Sequence, residues 1–369
     1  MIGQRAGVED TREAPWSFAA PWGARGWVTD LAGPVHWVEF SSGGPALSTV
    51  DAPPAGAVPS GAAAAGATVG GSSTHGATDG PTHGRTEAPP IVFVHGLGGS
   101  HLDWVPVGSG LAADRRAVAL DLRGFGLTPG TRRTATVAAN VALLDRFLRE
   151  VVGTPAILVG NSMGGLISVL QTQAHPATVA GLVLVDPALP QPGPRPKLGV
   201  VALFLAVALP GVGELYLRVE RSLLSSRQRV RGTFNLCFAN PIRAPRELEN
   251  ALVALAEERR RLPGTAASLL AATRSTVPAT IDRRHRAAMG EIRVPVLLVH
   301  GEADRLVPVH SSRAAAAANP DWETRFLSDT GHLPQLERPE LVLDAVTGWL
   351  ARHPDLNAAR PINPGVAAT

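Results

Sequence analysis

The 369-residue chain has one cysteine, Cys237. No disulfide can close within it and no cysteine-based metal site can form, a pattern that suits a reducing compartment. Lysine is equally scarce: Lys197 is the only one, and all other fixed positive charge is arginine. Long apolar runs are missing as well. The longest uncharged apolar stretch, Leu198–Gly213, contains Pro210 and falls short of the ~18 or more residues a membrane-spanning helix needs. It is expected to form a buried or interfacial helix. The first 18 residues carry charges where a secretion signal needs an apolar core, so a cytoplasmic location is expected. Aromatic residues make up only 5% of the chain, and few are interleaved with the arginines, which argues against nucleic-acid binding.

What is present suffices for a large core, with 45% hydrophobic residues. The formal net charge of +3 hides an asymmetry: residues 188–290 hold 16 Lys+Arg against 7 Asp+Glu, leaving 18 against 24 elsewhere. A basic segment on an acidic body reads as solvated helix faces, with weak association to an anionic membrane surface as the alternative. Residues 41–89 turn abruptly to Gly, Ala, Ser, Thr and Pro with very few charges and no aromatics. Such a stretch buries too little apolar surface to offset its ordering entropy and is expected to be a disordered insertion.

Around it, short Val/Leu/Ile runs alternate with helical patterns. Expected strands are 27–31, 35–40, 90–96, 116–126, 156–160, 180–187, 294–301 and 324–332. Expected helices are 134–152, where Val137, Val141, Leu144, Phe147, Leu148 and Val151 recur at helical spacing, then 163–174 and 339–353. Continuous apolar strands imply burial on both faces, hence an α/β fold with a mostly parallel central sheet flanked by helices. Between residues 188 and 293 the alternation stops and helical sequence takes over. This reads as a helical cap over the carboxyl ends of the strands. The organisation is then an extension 1–26, a core 27–187 and 294–353 split by the cap, and a tail 354–369.

The segment Ala156–Ser168, AILVGNSMGGLIS, flanks one serine with glycines where a strand hands over to a helix. The spacing Gly160-x-Ser162-x-Gly164 suits a strained turn that lifts Ser162 clear of both elements, a nucleophile elbow. A serine hydroxyl needs a base, and the base a carboxylate. His332, in DTGHLPQLERPE, and Asp304, in VHGEADRLVP, follow the last two strands. Asp186, after GLVLV, is the rival acid; Asp304 is preferred for its HGEAD setting. Donors for the substrate oxyanion are expected from the backbone N–H of Met163, next to the nucleophile, and of Leu97 in HGLGGS. Trp104 and Phe125 are candidates for the pocket lining or for ordinary core. His95 reads as structural, Asp121 and Arg123 as a local pair, and Glu302 and Asp329 as solvated. His101, His175, His285, His300, His310 and His353 show no paired ligand spacing, so no metal and no cofactor is invoked.

HGLGGSHLDW, DLRGFGLT, GNSMGG, HGEADRLVP and GHLPQLERPE, in this order, resemble the α/β-hydrolase-fold superfamily, in particular serine esterases with a helical cap. The resemblance covers roughly residues 90–187 and 294–353. It implies the α/β-hydrolase fold with an inserted helical cap, and a Ser162–Asp304–His332 triad working through an acyl-enzyme on a small-molecule carboxylic ester, including lipophilic ones. The carbon–carbon hydrolases of aromatic breakdown are the alternative. Their usual Gly-Pro-Gly oxyanion loop and tryptophan after the histidine are replaced here by Gly98-Gly99-Ser100 and Leu333. A ligand-binding module on a hydrolase scaffold is the reading from another class. The sequence sets no oligomeric state.

Overall fold

A computed structural model describes residues 10–14, 18–44, 88–189 and 206–357. Most of the 41–89 insertion, residues 198–205 of the apolar stretch and most of the tail lie outside the described residues. Within them no helix is long and apolar enough to cross a membrane.

Nine strands form one sheet: β1 (Thr11–Glu13), β2 (Ala24–Asp30), β3 (Pro34–Phe40), β4 (Ile91–Val94), β5 (Ala117–Leu120), β6 (Ala156–Asn161), β7 (Val179–Val185), β8 (Val296–Gly301) and β9 (Glu323–Leu327). Their order is β1-β2-β3-β5-β4-β6-β7-β8-β9. The β1, β2, β3 and β5 neighbours pair antiparallel; from β5 through β4 to β9 all pairs are parallel. β1 lies in the stretch read as an extension. Its three residues pair only with β2, too short a segment to carry a periodic signal.

The apolar runs divide by parity, as the pleat requires. Ile91, Phe93, Ile157, Val159, Val183, Val185, Leu297 and Val299 enter one core. Val92, Val94, Ala156, Leu158, Leu182, Leu184, Val296 and Leu298 enter the other. Each fully buried aliphatic side chain contributes roughly 1.5–3 kcal/mol, which is why both faces must be covered. The helices α1 (Val105–Leu111), α2 (Val137–Phe147) and α3 (Met163–Ala174) follow β4, β5 and β6. α2 runs on into a π turn, Leu148–Val152, that Gly153 ends in a left-handed conformation.

Between β7 and β8 come α4 (Val212–Leu223), α5 (Ser226–Cys237), α6 (Arg246–Arg261), α7 (Thr265–Ala279) and α8 (Arg283–Met289). After β8 come α9 (Val309–Ala318), then α10 (Pro334–Glu337) and α11 (Pro339–Arg352) beyond β9. Trp349 and Val346 of α11 join the first core, Leu144 and Phe147 of α2 the second. Parallel strands place the segments that follow β4, β6, β7, β8 and β9 along one edge of the sheet. Ser162, Asp186, Asp304 and His332 come from that edge, and Asp121 and Phe125 from the same end of β5, which is parallel to β4.

Candidate active site

β6 hands over to α3 at Ser162, whose backbone sits at φ 54°, ψ −117°. A non-glycine residue there is strained, by about 1–3 kcal/mol. The turn is held by Ser162 N–H donating to Val185 O (3.1 Å) and by Ser162 O accepting from Leu166 and Ala188 N–H (3.1 and 3.0 Å). The flanking glycines are needed for approach. A Cβ on Gly160 would lie 2.6 Å from Gly164 O, and one on Gly164 would collide with the carbonyl oxygens of Val94 and His95.

His332 lies five residues past β9 and is 5% exposed. Its N–H donates to Cys237 O (2.6 Å), at the end of α5. Asn161 Nδ2 donates to His332 O (3.2 Å) and to Val185 O (3.1 Å), tying the histidine backbone to β6 and β7. The buried Glu337 carboxylate completes the frame. It accepts from Gly331, Ala239 and Asn240 N–H at 2.8, 3.0 and 2.8 Å, and from Arg243 Nη1 at 3.1 Å. One carboxylate thus clamps the histidine loop to the chain leaving α5.

His332 Nδ1 meets Asp304 Oδ2 at 2.6 Å. The other carboxylate oxygen of Asp304 accepts from Leu306 and Val307 N–H (2.7 and 3.0 Å). Burial alone would raise the Asp304 pKa; the facing His332 and His300 outweigh it and hold the carboxyl well below its usual range. Asp186 is different. Burial first, and the neighbouring Asp304 second, push it well above the usual range. Its Oδ1 accepts from Gly301 N–H (3.0 Å), and its Oδ2 has no partner among the described residues. His300 stands between the two acids, Nε2 3.4 Å from each. Val307 O, 2.9 Å away, can only accept, so Nε2 carries the proton, while Nδ1 meets Ser312 Oγ at 2.7 Å.

A cavity of about 750 Å³ opens over this edge. Ser162, His332, Met163 and the Gly96–Ser100 loop line it from the sheet side; Leu217, Phe234, Leu252 and Leu255 line it from the inserted helices. Leu97 is in the lining and Gly98 takes the left-handed φ of 79° that shapes the loop. Phe125 lines the cavity. Trp104 does not: it is fully buried in the first core, stacked on Phe93 with ring centroids 5.0 Å apart. Of the two readings for Trp104, pocket lining and ordinary core, the pocket one is corrected: its ring packs on Phe93 in the core.

The expected Asp121–Arg123 pair is also corrected. Asp121 is buried between two histidines, accepting from His36 Nδ1 (2.8 Å), His101 Nδ1 (2.9 Å), His101 N–H (2.7 Å) and Leu127 N–H (2.8 Å). Burial would raise its pKa, but His101 and His36 overcome this and hold it well below the usual range. Arg123 turns outward and caps the β2–β3 turn, donating to Leu31 O (2.7 Å) and Ala32 O (3.0 Å). His36, His101 and Asp121 are close enough to be ligands to one ion, as are Asp186, His300 and Asp304. In the first cluster both Asp121 oxygens already accept from N–H groups; in the second, Asp304 is engaged by His332 and two backbone N–H groups. Both clusters act as hydrogen-bonded frames, although His36 Nε2, His101 Nε2 and Asp186 Oδ2 have no partner among the described residues. His95 serves the same end, with Nδ1 donating to Gly96 O (2.8 Å) and Nε2 accepting from Leu122 N–H (3.1 Å); burial lowers its pKa to about 4.

The arginines of the inserted helices are largely engaged. Arg227 and Arg231 share Glu249, and Arg274 holds Glu214. Arg259 donates to Gly124 and Gly126 O, both at 2.8 Å, fixing α6 to the loop that carries Phe125.

A sheet of this order, with a strained serine at a strand–helix turn and a buried Asp–His pair across one cavity, defines the α/β-hydrolase class. The chain belongs to the alpha/beta hydrolase family, whose family model matches residues 91–345. It is similar to a pimeloyl-[acyl-carrier protein] methyl ester esterase of Aromatoleum aromaticum, 29% identical over 264 residues, 70% of this chain and 99% of that protein. It is also similar to the dihydrolipoyllysine-residue acetyltransferase component of an acetoin cleaving system of Pseudomonas putida, 27% identical over 72% of this chain but only 64% of that protein. Among solved structures, a 2-hydroxy-6-oxo-6-phenylhexa-2,4-dienoate hydrolase of Rhodococcus sp. strain RHA1 shares the fold. Its TM-score is 0.58, with 22% identity over 73% of this chain and 92% of that one.

Proposed function

We propose that the protein is a serine hydrolase of carboxylic esters. Ser162 attacks the substrate carbonyl, His332 takes the serine proton, and Asp304 holds His332 in the tautomer that can do so. The observation that carries this reading is the 2.6 Å contact of His332 Nδ1 with Asp304, facing the cavity that Ser162 also lines. Asp304 is the acid and Asp186 is not: Asp304 touches His332 and its carboxyl is held well below the usual range, whereas burial and Asp304 push Asp186 well above it. The backbone N–H groups of Leu97 and Met163 receive the charge that develops on the carbonyl oxygen. The acyl group passes to Ser162 Oγ as the alcohol leaves with the proton from His332; water then releases the acid by the reverse exchange.

Similarity to a methyl ester esterase over nearly its whole length favours esters as the substrate class. The apolar wall from Leu217, Phe234, Leu252 and Leu255 favours a lipophilic acyl or alcohol portion. Each further methylene buried there would contribute about 0.8 kcal/mol. A fluorophosphonate probe tests the reading directly. It should label Ser162 and abolish hydrolysis of a medium-chain aryl ester, and Ser162→Ala should lose both, at a cost on the order of 10⁶-fold in kcat. Retained hydrolysis by folded Ser162→Ala would overturn the assignment.

A further inference from the structure

We propose that Asp103 is a neutral acid of this site: its carboxyl must carry a proton for the Gly96–Ser100 loop to receive negative charge, and its ionisation turns the site off in alkaline solution. The inference rests on the ester-hydrolase reading above and adds a group which that mechanism does not use.

Asp103 belongs to a short 3-10 turn, His101–Trp104, that directly follows the loop. Ser100 caps this turn, its Oγ accepting from Leu102 N–H at 3.2 Å. Asp103 Oδ2 reaches back and accepts from Ser100 N–H at the long distance of 3.4 Å. The carboxyl is pressed against the loop backbone: a Cβ on Gly99 would collide with Oδ2. Gly99 N–H in turn donates to Gly96 O (3.1 Å), so the carboxyl backs the closed turn that presents Leu97. Asp103 is 5% exposed and lines the cavity; Glu220, on α4, is the other acidic residue in the lining.

Arg221, Arg229, Arg259 and Arg260 line the same cavity, but the groups acting on Asp103 itself offer an anion little. No cation is paired with Asp103 among the described residues. His101 favours the charged form, but its Nδ1 is committed to Asp121, whose own charge opposes it. From the β4 edge, His95 is bound to Gly96 O and Leu122 N–H. From α5 comes the Cys237 thiol, itself pushed up beyond the usual range by burial. From α6, Arg259 is spent on Gly124 and Gly126 O; from α10, Glu337 is spent on Arg243 and three N–H groups. A buried carboxylate with one long hydrogen bond is not repaid for its lost hydration, so the group holds its proton to well above the usual carboxylate range. Burial accordingly raises the Asp103 pKa to about 7.

The consequence lies in the charge that develops during acyl transfer. The substrate oxygen becomes negative beside the same loop, whose carboxyl neighbour Asp103 is 5% exposed. A protonated Asp103 adds no opposing charge. An ionised one repels the developing oxyanion through a low-dielectric medium, where such repulsion is strong. Asparagine has the same shape, keeps a carbonyl oxygen for Ser100 N–H, and cannot ionise.

The test is the pH profile of kcat/KM for phenyl butyrate, with product measured by chromatography, for wild type and Asp103→Asn. The wild type should fall by about tenfold or more between pH ~7 and ~9. The variant, whatever its level at neutral pH, should stay within about twofold over that interval. An unchanged alkaline fall in the variant, or none in the wild type, would overturn the inference; a uniform loss at every pH would mark a purely structural role. A second measurement needs no turnover. The carbon-13 carboxyl resonance of Asp103 in Ser162→Ala protein should titrate with a midpoint near 7, and ionisation complete below about pH 5.5 would sink the proposal. If no ester is turned over at any pH, the hydrolase reading fails, and this titration still decides the state of Asp103.

Discussion

Replacing Asp304 by asparagine changes little in shape and one thing in chemistry. The asparagine carbonyl can keep the N–H groups of Leu306 and Val307, which Asp304 Oδ1 holds at 2.7 and 3.0 Å, so the loop after β8 should stay in place. Its amide NH₂ then replaces Oδ2, which meets His332 Nδ1 at 2.6 Å. An amide nitrogen only donates. His332 must respond by accepting at Nδ1, which moves its proton to Nε2, the atom that in the proposed mechanism takes the proton of Ser162. The expected cost is about 10⁴-fold in kcat, equivalent to about 5.5 kcal/mol of barrier. The assay is kcat on a short aryl ester, with the fraction of reactive serine counted by fluorophosphonate titration, alongside an Asp186→Asn control. Asp186→Asn should lose less than about tenfold, because its carbonyl can still accept from Gly301 N–H and the carboxyl it replaces, raised well above its usual range, does not touch His332. If Asp304→Asn stays within tenfold of wild type, or Asp186→Asn proves the crippling change, the reasoning fails.

Three further outcomes follow from the same structure. His95 binds a proton near pH 6.5 when unfolded but only near 4 when folded, so the unfolded state binds more protons in that window and stability is lost as pH falls through it, by about 3 kcal/mol. Asp103 acts with the opposite sign between about 4 and 7, so urea melts across this range should show a steeper acid loss for Asp103→Asn than for wild type; equal slopes would contradict the Asp103 shift, and no acid loss in Asp103→Asn would contradict that of His95. Gly164→Ala should cost on the order of 1–3 kcal/mol, read as a fall of several degrees in Tm with loss of probe labelling at Ser162, because the new methyl meets two backbone carbonyls that cannot move; an unchanged Tm would show that the turn relaxes. Glu337→Gln leaves part of a buried set of N–H donors unpaired, at about 1–3 kcal/mol, and should lower kcat more than it raises KM by loosening His332; a loss of stability with kcat intact would limit Glu337 to a structural clamp.

The residues whose placement could be read from the sequence are those whose constraint is local. Ile91–Val94, Ala156–Asn161 and Val296–Gly301 announce buried parallel strands because every residue faces apolar neighbours on one side or the other. Gly160 and Gly164 announce a turn that admits no side chain on either flank of Ser162. The start of α3 at Met163 and its end at Ala174 follow from that turn and from the apolar pattern. Trp104 defeats such reading because a tryptophan beside a loop can turn either way, and only packing against Phe93 decides. Asp121 defeats it for another reason. Its partner His36 lies 85 residues earlier, beyond the 41–89 insertion, and the two meet only because β3 pairs with β5. The clamp made by Glu337 on Gly331, Ala239 and Asn240 likewise depends on how the inserted helices return to the sheet. Asp103 combines both obstacles. Its capping contact with Ser100 is local, but its lack of a cation is set by what α5, α6 and α10 bring against it. Sheet order and insertion geometry therefore decide which buried polar groups meet, and in this chain those meetings set Asp304 and Asp121 below the usual carboxylate range and leave Asp186 and Asp103 above it.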